Sequence, residues 1–140
     1  MDLIKDMDER IAYVKTLIHM ASIDKNILET ETEQINQLAQ LYQIPGDRMQ
    51  EIWNYTQEKS DLHSIVSQIQ GRKTKLMLLY ELLMVCHADK MYGPAEQTGM
   101  NEICGMLGIE KDKLHELERL IVESQNIGNK LKVALEMGGY

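Results

Sequence analysis

The sequence predicts an all-α protein of seven to eight helices with pseudo-two-fold symmetry, and two observations carry that prediction. The first is the run from Leu76 to Cys86, apolar at every position except Glu81. A bilayer span takes ~20 apolar residues, so this shorter run reads as a buried helix at the centre of a core. The second is an ungapped register of the chain on itself at an offset of 65 residues. It pairs Leu17 with Leu82, Asp24 with Asp89, Lys25 with Lys90, Glu31 with Glu96, Asn36 with Asn101, Ile44 with Ile109 and Asp47 with Asp112. Apolar positions follow the same register, as in Ile18 and Leu83, Leu38 and Ile103, or Met49 and Leu114. A register held over ~50 residues is the mark of a duplicated helical unit.

Taken in order, Leu3, Met7, Ile11, Val14, Ile18 and Ala21 recur at spacings of three and four, which predicts an amphipathic helix over 3–21. A second helix is expected from about Glu29 to Tyr42 with Ile35, Leu38, Ala39 and Leu41 inward. Pro45-Gly46-Asp47 stops it, and Asp47 is placed to cap a third helix carrying Met49, Ile52, Trp53 and Tyr55. Leu62, Ile65, Val66 and Ile69 give a short connector helix that Gly71 ends. The second unit repeats the plan with a helix from Arg72 to Ala88, one from Pro94 to Leu107 and one from Asp112 to about Glu123. Ile127, Leu131, Val133, Ala134, Leu135 and Met137 predict a separate final helix. The expected organisation is one domain over 1–140, with repeats at about 10–58 and 75–123, a connector at 59–74 and a C-terminal helix at 124–140.

A chain of 140 residues suits a single core, which two ~50-residue units would share. The formal net charge of −7 argues against a nucleic-acid partner, because phosphates call for a basic face. It suits a cation or a basic protein partner. No basic, then apolar, leader opens the sequence and no stretch is long enough for a transmembrane helix, so a cytoplasmic protein is expected. Cys86 and Cys104 stand opposite Ala21 and Ala39 in the repeat, which predicts small buried sites rather than a disulfide or zinc site.

The matched loops hold the chemistry. Asp24 and Asp89 each fall where a helix ends, and Glu31 and Glu96 follow seven residues later in the first turn of the next helix. If the symmetry brings the loops together, these four carboxylates form the oxygen-rich setting that calcium or magnesium takes, with Glu29, Glu33 and Glu102 nearby. An EF-hand is excluded on spacing. Its sixth position needs glycine and its twelfth an acid, but here those positions hold Glu29 and Ile35, or Pro94 and Met100. The alternative is plain capping. Glu96 is the third helical residue if Gly93 is the cap, and Thr30-Glu31-Thr32-Glu33 contains a capping box.

From about Asp8 to Glu123 the chain resembles the TerB-like tellurite-resistance family. The resemblance rests on Met20-Ala21-Ser22-Ile23-Asp24…Glu31 and Cys86-His87-Ala88-Asp89…Glu96, each followed by an apolar helix ending in Tyr42-Gln43-Ile44 or Leu107-Gly108-Ile109. It implies a compact all-helical domain, acidic loop residues proposed to bind metal, and an association with stress resistance rather than a defined reaction. Lys25 and Lys90 stand where the family usually has glycine, and an ammonium there competes with a cation for the same carboxylates.

The expected function is therefore a non-enzymatic stress-response domain with Asp24, Glu31, Asp89 and Glu96 as metal ligands, no catalytic residues and no other cofactor. The competing expectation is a helical adaptor, whose acids are only helix caps and whose working face is apolar. A protein partner is expected in either case, and a homodimer is one form it could take. Arg72-Lys73-Thr74-Lys75 reads as a solvated helix start, and His19, His63, His87 and His115 as ordinary helix or loop residues.

Overall fold

The structure is a computed structural model that describes residues 4, 6–21, 33, 36–37, 39–58, 62–88 and 93–137. Six helices are defined: α1 (Met7–Ala21), α2 (Gly46–Glu58), α3 (Leu62–Val66), α4 (Arg72–Ala88), α5 (Pro94–Leu107) and α6 (Lys111–Met137). Residues 33, 36–37 and 39–41 are also helical and run into a turn at Tyr42 and Gln43. No strand occurs among the described residues. The all-α expectation holds.

The apolar run from Leu76 to Cys86 and the amphipathic N-terminal helix together form the centre. α1 packs against α2, α3 and α4, while α4 packs against α1, α5 and α6. Tyr13, Val14, Leu17 and Ile18 of α1 and Leu78, Leu79, Leu82 and Leu83 of α4 are fully buried. Burial of such side chains contributes ~1.5–3 kcal/mol each before entropy is counted, which makes this the main stabilising layer. Cys86 and Cys104 are both buried and neither is in a disulfide, and Ala39, the match of Cys104, is buried as well.

The start of α1 is held by short-range bonds. The Asp6 carboxylate accepts from the Asp8 amide at 3.2 Å, satisfying one of the open donors of the first turn. Arg10 then ties the helix to two distant carbonyls, donating from Nε to Ile4 at 2.7 Å and from Nη1 to Tyr42 at 2.9 Å. The loop before α4 is fastened to α1 as well, because the Gln70 amide donates to Glu9 Oε1 at 2.8 Å.

Several local features recur at the 65-residue offset. α1 and α4 begin at matched positions, as do α2 and α6. The Ile44 amide donates to the Ala39 carbonyl and the Ile109 amide to the Cys104 carbonyl, at 3.0 and 3.1 Å. Arg48 reaches Glu51 at 3.1 Å, as Lys113 reaches Glu116 at 2.7 Å. Both turns need a left-handed residue to release the helix. Gly108 supplies it at φ 71°, whereas its match Gln43 adopts φ 57° with a side chain attached. A β-carbon at Gly108 would meet nothing within 4 Å, so only the backbone cost of the left-handed region distinguishes the two sites. Gln43→Gly is expected to stabilise the protein by about 0.5–1 kcal/mol and Gly108→Gln to cost about as much, in thermal melts of the two variants. Equal shifts of one sign would show that the matched turns are not equivalent.

Four expectations are corrected. Leu76 to Cys86 is not buried all round: Tyr80 and Met84, one turn apart, are each 44% exposed, because α4 has neighbours on only part of its circumference. Leu41 points outward at 63% exposure, since the turn at Tyr42 puts the tyrosine ring in the core instead. Asp47 is not the cap of α2, which begins one residue earlier, with the Pro45 carbonyl accepting from Arg48 and Met49. The C-terminal segment is not a separate helix. α6 runs unbroken from Lys111 to Met137, as no proline interrupts it and a lone Gly128 weakens a helix by ~1 kcal/mol without ending it. Ile35, Leu38 and the side chains of Trp53 and Tyr55 lie outside the described residues.

Candidate functional site

Each acidic loop leaves the C-terminal end of a central helix, the first after Ala21 of α1 and the second after Ala88 of α4. Asp24, Glu31 and Asp89 lie outside the described residues, as do Lys25, Lys90 and Glu29. Glu96 is described. It sits in the first turn of α5, half-buried, with Gly93 as N-cap and Pro94 as first helical residue. Gly93 brings no side chain to cap the helix. The Glu96 carboxylate turns back over it, so that a β-carbon at Gly93 would lie 3.8 Å from Oε1. That is the third-position geometry expected of a capping glutamate, where the carboxylate meets the positive end of the helix dipole. Glu33 and Glu102 are exposed. Among the described residues no three His, Cys, Asp or Glu side chains come together as a metal set.

A polar cluster that the sequence reading did not assign lies in the core. The Tyr42 hydroxyl lies 3.0 and 2.8 Å from the two Glu81 carboxylate oxygens, between the turn after 41 and the middle of α4. The Tyr13 ring of α1 meets the Tyr42 ring edge-on, with centroids 5.2 Å apart and planes at 69°. Both rings are fully buried. Among the described residues the Tyr13 hydroxyl finds no hydrogen bond of good geometry, although it lies close enough to Glu81 and Tyr42 for both to act on it. Burial, reinforced by the Glu81 carboxylate, pushes the Tyr13 phenol far above the usual tyrosine range. Burial raises Tyr42 too, and Glu81 adds to it. The one signal in the sequence was Glu81 itself, the single polar residue of the central run, whose match Thr16 simply donates to the Ala12 carbonyl at 2.8 Å.

None of these groups is a placed nucleophile. Burial pushes the Cys104 thiol up, and its Sγ lies 3.2 Å from the Ile109 carbonyl, which it serves as a donor. His63 and His115 are exposed, while His19 and His87 are half-buried on α1 and α4. Arg72 and Glu110 pair through two bonds of 3.0 and 2.8 Å across the surface, and the guanidinium holds the Glu110 carboxyl below its usual range. The basic cluster at Arg72 is thus partly spent within the fold, and Thr74 is buried.

The most exposed apolar surface is on α6. Every described side chain from Val122 to Glu136 is exposed, including Ile127 (65%), Leu131 (58%) and Leu135 (71%). No helix of the described residues is long and apolar enough to cross a membrane.

A family model described as tellurite resistance protein TerB matches residues 10–119. No curated protein and no solved structure matches the chain.

Proposed function

This chain belongs to the TerB family, and from that premise we propose that it is a non-enzymatic, cytoplasmic stress-response domain of the tellurite-resistance type. It works by binding, holding a divalent cation such as calcium or magnesium between Asp24, Glu31, Asp89 and Glu96. The observation that carries this reading is the direct packing of α1 on α4, the two helices from whose ends the matched acidic loops depart. Hard cations favour several carboxylate oxygens gathered on adaptable loops. Lys25 and Lys90 would be displaced as the cation enters, so affinity should fall with ionic strength.

The adaptor reading has its own support. Glu96 occupies a cap position that needs no metal, and α6 presents apolar side chains beyond the core. One experiment separates the two. The melting temperature of chelator-stripped protein is measured with calcium, magnesium, manganese and zinc, beside a variant carrying Asp24→Asn and Asp89→Asn. A cation at 100 times its dissociation constant adds ~2.7 kcal/mol, a shift on the order of 10 °C for a chain of this size. The expected result is such a shift in the natural protein and none in the variant. No shift in either makes the acids helix caps and leaves the adaptor.

A further inference from the structure

We propose that α6 pairs antiparallel with the α6 of a second copy of this chain. The helix is 27 residues long, about 40 Å, and only its first half rests on α4 and α5. Leu114 and Ile121 are buried and Leu117 is half-buried, and beyond Ile121 the described side chains have no cover. From the half-buried Leu117 outward, one face of the helix keeps a regular pattern. Leu117, Leu120, Ser124, Ile127, Leu131 and Ala134 alternate at spacings of three and four, the heptad seam of a two-stranded coil. Most helical stability in proteins comes from packing an apolar face, and the part beyond Ile121 has none within the described residues.

Two features select the same helix as the occupant. In an antiparallel pair with its axis between Gln125 and Asn126, Leu120 faces the partner's Leu131, Leu117 the partner's Ala134 and Ser124 the partner's Ile127. Large residues then meet small ones at two of the three layers, on each side of the axis. The same register sets Glu123 beside the partner's Lys130, twice by symmetry, at the flanking positions where charges choose partner and orientation. Glu123 pairs with Arg119 of its own helix at 3.9 Å, a loose contact, while a parallel pair would put Glu123 beside Gly128 and Lys130 beside Leu135. Gly128 is the second feature. A β-carbon there would meet nothing within 4 Å, so nothing among the described residues of one copy requires glycine in the middle of this helix. In the antiparallel register it stands opposite Ile121, where the partner helix passes the body of the domain and a bare backbone leaves room.

The seam covers roughly 1,000 Å² over both copies, the lower edge for a specific interface, so the dimer is concentration-dependent. Sedimentation equilibrium of the full chain from micromolar to millimolar concentration tests it. The natural protein is expected to shift from monomer to dimer, and Ile127→Asp with Leu131→Asp to remain monomeric with its melting of the body unchanged. Glu123→Lys and Lys130→Glu, each alone, are expected to weaken association roughly tenfold, and an equimolar mixture of the two to restore it as a heterodimer. These two substitutions keep good helix formers, so they report on pairing even if the aspartates unravel the helix end. A natural chain that stays monomeric at millimolar concentration overturns the proposal. So does a dimer that survives the aspartates, or a mixture that fails to restore. A monomer whose α6 instead carries it onto phosphatidylserine vesicles overturns it in favour of a lipid surface.

Discussion

Leu82→Ala is expected to cost about 2–5 kcal/mol, enough to remove much of the stability of a domain of this size. Leu82 is fully buried in α4, the helix that packs against α1, α5 and α6 at once. Truncation loses the transfer free energy of the side chain and leaves a cavity, and three helices cannot all close on one gap without opening elsewhere. Its match Leu17 is fully buried in α1 and should respond alike. Met84→Ala, two residues along the same helix but 44% exposed, should change stability by no more than ~0.5 kcal/mol. Urea titrations followed by circular dichroism give all three values. A loss at Met84 comparable to that at Leu82 would mean that the outer stripe of α4 is covered in solution.

Alkaline pH should unfold the protein through Tyr13 and Tyr42. Both phenols are raised above the usual value near 10 by burial, with the Glu81 carboxylate acting in the same direction. The sign follows from proton counting. Below pH ~10 both folded and unfolded chains keep these protons, so the full contribution is present. Above it the unfolded chain releases them while the folded chain retains them, and stability falls by about 1.4 kcal/mol per pH unit for each tyrosine. The pair together gives a slope of about 2.7 kcal/mol per unit, which ends in cooperative unfolding. Phenolate absorbance and circular dichroism recorded together test this. Tyr13 and Tyr42, two of the six tyrosines, should be among those that ionise only as ellipticity is lost. Ionisation of all six ahead of unfolding would remove the buried pair from the account.

The same cluster distinguishes its two members by sign. Tyr13→Phe removes a buried hydroxyl with no well-formed hydrogen bond among the described residues and should raise stability by about 1 kcal/mol while halving the alkaline slope. Tyr42→Phe takes the donor from Glu81 and should cost about 1–3 kcal/mol. The hydroxyl of Tyr42 joins residues 39 positions apart, and periodicity, being a local property, says nothing about such a pair.

Legibility varied with the range of the interaction. The turn at Leu107-Gly108-Ile109 could be read from the glycine, and its match at Tyr42-Gln43-Ile44 only through the repeat, since glutamine does not announce a left-handed residue. The helix start at Gly93-Pro94, with Glu96 in its first turn, was legible because a helix start is settled within one turn. Leu41 was misread because a leucine at helical spacing looks inward until the neighbouring tyrosine takes the core position. The split of α6 into two helices came from ending the second unit near Glu123, the last position compared with the first unit, although nothing there interrupts the helix. Whether Asp24, Glu31 and Asp89 converge with Glu96 depends on the two loops meeting in space, which spacing alone does not specify.

Periodicity of 3.6, capping residues and the apolar run from Leu76 to Cys86 were enough for the all-α class, the order of the helices and the choice of α4 as its centre. These are properties of neighbouring residues, so they survive in one dimension. Packing decided which side of α4 stays wet, which ring fills the space at Tyr42, how Arg10 reaches two carbonyls 38 positions apart, and how far α6 extends past the core. Each of those outcomes depends on which helix faces which, and an amphipathic stripe says only that a partner is needed.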